Sequence, residues 1–272
     1  MKKFIFILLV VGINKLSAQE MPNNSIQIGW GVSNLMRQDL TMSPFIHKDW
    51  SPVNAFLSYS RSKKVEQQFT LKYRHYNPMR TASYEFNSFY NGKSTTVPHS
   101  FGILDIDYSL GKELIREKKW SMVLGGKSRN FIYASDYLFG DSGPSPMIIS
   151  FGLDTWIKAV YRLNEKNYFV SSLSLPLFSF VYRDPYLAQD DEYFENLYSH
   201  KGLKELTSRI ADGEWRSWGK AQRVEFNIQY GYVINRKWDI TTHYLFSLNV
   251  NQYPTRFTQL ENTFLITGKF KF

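Results

Sequence analysis

Asp105 and Asp107 stand two residues apart, and Lys127 and Arg129 repeat that spacing with the opposite sign. Residues two apart on a strand share a face and lie about 7 Å from each other. Each pair therefore turns two like charges toward one side. Two carboxylates so placed could share a proton for acid–base work, line a path for a small ion, or be neutralised by the two bases if the segments are neighbours. His243 and Ser247 also share a face, but four residues along a strand is ~13 Å. A nucleophile and its base need ~2.6–3.2 Å, so a partner from another strand would be required, and Asn227 or Gln229 is placed to satisfy His243 instead. His99-Ser100 forms a second pair where a loop meets a strand.

Metal and phosphate chemistry have less support. The histidines at 47, 75, 99, 200 and 243 show no His-x3-His or acid–His cluster of the kind zinc sites use. Asp190, Asp191, Glu192 and Glu195 could gather calcium, but no Asp-x-Asp-x-Asp-Gly pattern accompanies them,. Leu124-Gly125-Gly126-Lys127 lies within a strand, without the helix start that a phosphate-cradling loop needs. The sequence thus assigns no catalytic, cofactor-binding or metal-ligating residue.

The elements that must position these side chains are strands. Apolar residues alternate with polar ones in Ile26–Val32, Val53–Ser60, Phe69–Arg74, Leu104–Leu110, Trp120–Arg129, Ile149–Arg162, Val224–Tyr230, Ile240–Leu248 and Phe264–Phe272. Phe169–Val181 is apolar on both faces with Pro176 inside it and makes a tenth segment. Period-2 alternation is the mark of a strand with two unlike faces. Ten is an even number, as a closed bacterial barrel requires; misreading the Pro176 segment or Thr81–Tyr90 would make it eight or twelve. Connectors at 61–64, 112–119, 164–166 and 235–236 are short, whereas 36–50, 78–98, 135–146 and 184–220 are long, and the last, near Tyr253-Pro254, is short again. Short turns at one end and long loops at the other are the asymmetry of a membrane barrel. In the longest loop, Leu203, Leu206 and Ile210 recur at helical spacing, and that loop could plug the lumen, clamp a partner or form a surface arm.

The face opposite the apolar one carries Glu66, Lys72, Arg74, Asp105, Asp107, Lys127, Arg129, Asp154, Lys158, Arg162, Arg223, Glu225, Asp239, Glu261 and Lys269. Charges enclosed in a barrel persist when paired and hydrogen-bonded. The candidate lumen network is accordingly Asp105, Asp107, Lys72, Arg74, Lys127, Arg129, Asp154 and Lys158. Trp120 and Trp238 each follow a basic turn, the height at which an amphipathic ring sits between hydrocarbon and headgroups.

Composition agrees. The 272 residues are 17 % aromatic with a mean hydropathy of −0.36, and after residue 18 no apolar run approaches the ~18–20 residues of a membrane helix. The formal charge is +9, yet no run of five or six Lys/Arg exists, which argues against a nucleic-acid surface. Cysteine is absent, so no disulfide framework supports the fold. Lys2 and Lys3, an apolar stretch from Phe4 to Val11 and a small residue at Ala18 read as a signal peptide over 1–18,. Its removal takes three lysines and no acid, leaving +6. Residues 19–272 are then one domain.

The signal ending Ser17-Ala18-Gln19, the cysteine-free aromatic strands and the terminal Phe272 resemble small outer-membrane β-barrel proteins of the Bacteroidota type. The resemblance covers the whole chain as a pattern and rests on generic motifs. It implies an all-β, antiparallel up-and-down transmembrane barrel in the cell outer membrane, surrounded by lipid and lipopolysaccharide. It implies that Phe270 and Phe272 are read by the barrel-insertion machinery. It supplies no substrate or catalytic residue. Ten-stranded barrels include proteases with paired acids, but those also need an Asp–His pair near the outer rim, and no Asp-x-His occurs here. The leading expectation is a non-enzymatic structural or interaction component, with a protein partner met through 184–220 and also through 78–98. A narrow solute channel and a lipid hydrolase or protease are the alternatives.

Overall fold

The computed structural model describes residues 24–63, 65–78, 83–139, 145–184 and 203–272; the predicted signal peptide lies outside them. Ten strands close into an antiparallel barrel: β1 (Asn24–Asp39), β2 (Ser43–Ser62), β3 (Glu66–Tyr76), β6 (Ser100–Arg116), β7 (Trp120–Asp136), β8 (Met147–Arg162), β9 (Asn167–Arg183), β11 (Ala221–Val233), β12 (Trp238–Asn251) and β13 (Phe257–Lys271). Each pairs with its neighbour in sequence, and β1 pairs with β13 to close the ring. A small hairpin, β4 (Glu85–Ser88) with β5 (Gly92–Thr95), stands in the connection from β3 to β6. The loop after β9 holds the expected helix, α1 (Leu203–Ala211), and a short strand, β10 (Glu214–Ser217), which pairs with β9.

All ten expected strands are present, and the alternation reads true. Ile26, Ile28, Trp30 and Val32 are exposed on β1, as are Val53, Leu57 and Tyr59 on β2, while Asn54, Phe56 and Ser58 are buried inside. Closure satisfies backbone groups that lipid could not. Near the end that carries the termini, outward aromatics meet across strands. Tyr59 faces Phe69 and Phe69 faces Tyr108; Trp120 faces Tyr161, Tyr161 faces Phe169, and Phe169 faces Tyr230. Trp238 lies 4.9 Å from the Phe270 ring. The tight turns at this end are closed by asparagine: Asn164 Oδ1 accepts from the N–H groups of Lys166 and Asn167, and Asn235 Oδ1 from those of Lys237 and Trp238.

Two expectations are corrected. The stretch 36–50 is not a long loop: β1 and β2 continue as a paired ribbon and turn within Leu40-Thr41-Met42. Its residues Arg37, Asp39 and His47 interrupt a simple apolar-out pattern because they serve a buried layer inside the barrel mouth. Arg162 sits exposed at the end of β8 rather than in the lumen. The proline in β9 finds its place in a change of partners. Pairing with β11 ends at Ser174 and pairing with β10 begins at Phe178. Pro176, which has no N–H to donate, falls between the two.

Inside, Gly125 and Gly111 face each other across β7 and β6, and Trp156, 3 % exposed, lies against them. A Cβ on Gly125 would come within 2.0 Å of the Leu110 carbonyl oxygen, whereas one on Gly102 would meet nothing nearer than 3.8 Å. Gly125→Val should therefore abolish the compact, heat-modifiable form on cold electrophoresis, and Gly102→Ala should leave it intact. Equal behaviour of the two would contradict this account of the β6–β7 approach.

Candidate functional site

At mid-height the lumen is filled by Lys72, Arg74, Lys127, Arg129 and Arg223 against Asp105, Asp107, Asp154, Glu225 and Glu261, all buried. Five bases meet five acids, so this layer is neutral as a whole. Asp105 receives Arg74 at 2.5 Å and Arg223 at 2.6 Å. Asp107 receives Lys127 at 2.9 Å and Lys72 at 3.4 Å. Arg129 turns to Asp154 at 2.5 Å, and Arg74 also meets Glu261. Glu225 takes Lys72 at 2.6 Å and Lys127 at 2.7 Å.

The Lys72–Glu225 contact has a particular geometry. β3 and β11 stand five places apart in either direction round the ring of ten strands, so this ion pair spans the lumen from wall to wall. A barrel of ~8–10 strands is narrow enough for side chains to fill it, and here charged side chains do so. Single pairs of this kind contribute little net stability, because desolvation offsets their attraction; removing one partner leaves a bare buried charge and is costly.

Toward the loop end the interior becomes aromatic. Tyr76, Phe101, Tyr133, Tyr137 and Phe257 are fully buried there. The Arg37 guanidinium lies 4.6 Å from the Phe101 centroid and 5.0 Å from that of Phe257, a favourable stacking for a planar cation. Arg183 joins Asp39 at 2.5 Å and donates to the Tyr253 and Thr255 carbonyls. Arg209 of α1 reaches Asp184 at 3.0 Å, and Arg216 of β10 reaches Asn251 Oδ1 at 2.6 Å, so the described part of the long loop is fastened to the rim. Burial pushes the Asp184 carboxyl up, against the opposing pull of Tyr182, the Met147 N–H and Arg209.

Toward the terminal end the interior is polar. Lys158 pairs with Glu66 and Lys271 with Asp239. His243 sits opposite Gln229, and its Nε2 is 2.7 Å from Gln27 Nε2 and 3.0 Å from Thr241 Oγ1. Among the eight lumen residues singled out in sequence, Asp105, Asp107, Lys72, Arg74, Lys127, Arg129 and Asp154 come together, while Lys158 lies lower with Glu66. Arg223, Glu225 and Glu261 complete the layer; their alternating inward positions on β11 and β13 were readable, but which charge meets which was not. Trp156 and the aromatic layer gave no distinguishing signal, since an inward aromatic and a lipid-facing one look alike in sequence. Among the described residues no cluster of three metal-ligating side chains occurs. His99 is buried in aromatic company, with ring centroids 5.4 Å from His47, 5.2 Å from Tyr137 and 4.9 Å from Phe139.

This arrangement defines a transmembrane antiparallel β-barrel with an ion-paired lumen. The fold is similar to that of the outer-membrane protease OmpT from Escherichia coli, at 8 % identity and a TM-score of 0.50 over 94 % of this chain and 99 % of that one. The β domain of the Bordetella autotransporter BrkA (8 % identity, 93 % of this chain and 100 % of that one, TM-score 0.44) and Neisserial surface protein A (10 %, 93 % and 100 %, TM-score 0.35) also align. At such identities the likeness is one of fold. No protein-family model and no curated protein sequence matches the chain.

Two outcomes are expected. Lys72→Met should destabilise the refolded barrel in denaturant titration by about 3–5 kcal/mol, and adding Glu225→Leu should recover much of that loss; a double variant weaker than both singles would contradict a coupled pair. Loss of water holds the His99 imidazole below its ordinary value, so the folded chain favours the neutral ring. Stability from this site is then present at neutral pH and falls as pH drops below roughly 6.5, where the unfolded chain takes up a proton. His99→Phe should flatten that acid limb.

Proposed function

We propose that this chain is an exported outer-membrane barrel of the Bacteroidota type, set among lipid and lipopolysaccharide, that works as a non-enzymatic structural or interaction component rather than as an open pore. The observation that carries the reading is the Lys72–Glu225 pair spanning the lumen within a neutral lattice of ten buried charges. An ion crossing that layer would have to break charge-assisted bonds in a region of low dielectric. The exposed apolar face and the cross-strand aromatic rows around Trp120 and Trp238 support insertion, with those rings at the membrane interface. Phe270 and Phe272, stacked 5.8 Å apart, would present the terminal signal to the insertion machinery.

Contact with a partner would be made at the loop end, through 78–98 and 184–220. The β4–β5 hairpin supports this, because Phe89 is 97 % exposed and Tyr90 87 % exposed at its turn. Large aromatics held in water at a loop tip are the kind of anchor that binding surfaces use. Two measurements test the reading. In planar bilayers the purified barrel should show no steady unitary steps, and a regular conductance altered by Asp105→Asn would favour the solute channel. Isolation in mild detergent should yield a companion at fixed stoichiometry that is lost from the Phe89→Ser/Tyr90→Ser variant. A barrel that travels alone in both forms would remove the interaction role.

A further inference from the structure

The turns at the end that carries the termini are basic all the way round. Arg61 and Lys63 stand exposed at the β2–β3 turn, Arg162 and Lys166 at the β8–β9 turn, and Arg236 and Lys237 at the β11–β12 turn. The β6–β7 turn and the strand end leading into it add Lys112, Arg116, Lys118 and Lys119, also exposed. Against these ten bases the described residues of this end expose only Glu117 and Glu165, with Glu113 half-buried. Glu113 is taken by Arg116 at 2.7 Å, and Glu117 accepts the Trp120 indole N–H at 2.6 Å. The loop end is nearer balance. Its described residues expose Lys48, Lys93, Lys204, Lys220 and Arg256 against Glu85, Asp212 and Glu214, so the large excess belongs to one end.

The height and the distribution of these bases point to what they meet. Lys118-Lys119 directly precede Trp120, and Arg236-Lys237 directly precede Trp238, so the charges stand level with the interface rings. Arg61 continues the outward row of Leu57 and Tyr59 on β2, and Lys112 that of Tyr108 and Leu110 on β6. Both therefore leave the wall sideways rather than down into water. A long basic side chain at such a position lays its stem along apolar surface and carries its charge to the headgroups. The four turns join every second pair of strands round the ring. A soluble acidic partner would approach from below and touch one side, whereas a surrounding leaflet touches every turn at once. An anionic membrane surface attracts basic segments placed within a Debye length of it.

We propose that these turns form a collar that gathers anionic phospholipid headgroups, of the phosphatidylglycerol class, from the leaflet at the terminal end. The proposal rests on the membrane reading above, in which Trp120 and Trp238 mark the interface.

The test is spin-label spectroscopy of the full barrel in phosphatidylcholine bilayers, where lipid held against the wall appears as a motionally restricted component. Labelled phosphatidylglycerol should associate about threefold or more over labelled phosphatidylcholine at low salt. That preference should shrink toward unity at ~1 M salt, where charges are screened beyond ~3 Å. Replacing Lys118, Lys119, Arg236 and Lys237 together by Gln should lower the preference about twofold or more, and Lys93→Gln/Lys220→Gln at the loop end should retain it. If the fourfold variant fails to fold, Lys63→Gln/Lys166→Gln serves instead; Lys166 closes its turn through its backbone N–H, so the turn survives the change. Restricted lipid without a preference, or a preference unchanged in these terminal-end variants, overturns the collar while leaving the barrel in its membrane. Absence of restricted lipid for both labels sinks the membrane reading itself. Equal association of the two lipids, with retention on a polyglutamate resin that the fourfold variant loses, would assign the collar to an acidic macromolecule and overturn the lipid proposal.

Discussion

A charge placed inside a ten-stranded barrel has nowhere to retreat. Lipid surrounds the wall, and the bore is too narrow to keep a hydration shell around every ammonium and carboxylate. Each must be met by an opposite charge from another strand. Lys72 solves this by reaching Glu225 on the far wall, and Asp105 by gathering Arg74 and Arg223. The requirement ties together strands that are distant in sequence. A slip of one residue in β6 would turn Asp105 and Asp107 toward lipid. A slip of two would carry them about 7 Å along the axis, out of reach of their bases. The ion pairs therefore act less as a source of stability than as a condition on register that only one alignment of β3, β6, β7 and β11 satisfies.

That condition also explains why the lumen changes character along its length. Above the lattice, acids are few and arginines are satisfied by ring faces and carbonyl oxygens: Arg37 by Phe101 and Phe257, Arg183 by the Tyr253 and Thr255 carbonyls as well as Asp39. A weakly hydrated guanidinium accepts such surroundings, which an ammonium would not. The lysines are accordingly confined to the lattice and the polar chamber beneath it. At the rim the same device fastens the long connection after β9, where Arg209 and Arg216 hold α1 and β10 against Asp184 and Asn251.

Much of this was legible in the residues. Period-2 alternation located nine of the ten strands and an apolar run the tenth, and the spacing of Asp105 and Asp107 against Lys127 and Arg129 placed opposite charges on neighbouring strands with one common face. What escaped was whatever depends on height and closure. Strand periodicity says which face a residue occupies and nothing about how far along the bore it sits, so Arg129 was matched to the Asp pair when its partner is Asp154. The β1–β2 ribbon continues past the point where its apolar pattern ends, because Arg37, Asp39 and His47 belong to an interior layer whose other members come from β3, β6, β7, β9 and β13. Pro176 obscured β9 for a related reason: no strand-level signal announces that its pairing partner changes from β11 to β10.

The lattice also divides the lumen into two compartments with different chemistry. The loop-end compartment is largely aromatic, and contacts made there belong to the outer surface of the mouth and its hairpins. The terminal compartment is hydrogen-bonding and unfilled. There Lys158 and Lys271 meet Glu66 and Asp239, while Lys269 lies over the Tyr168 ring. The contrast follows from burial: Lys72 and Lys127 are buried and paired, whereas Lys269 is partly exposed and keeps its ammonium in reach of water,.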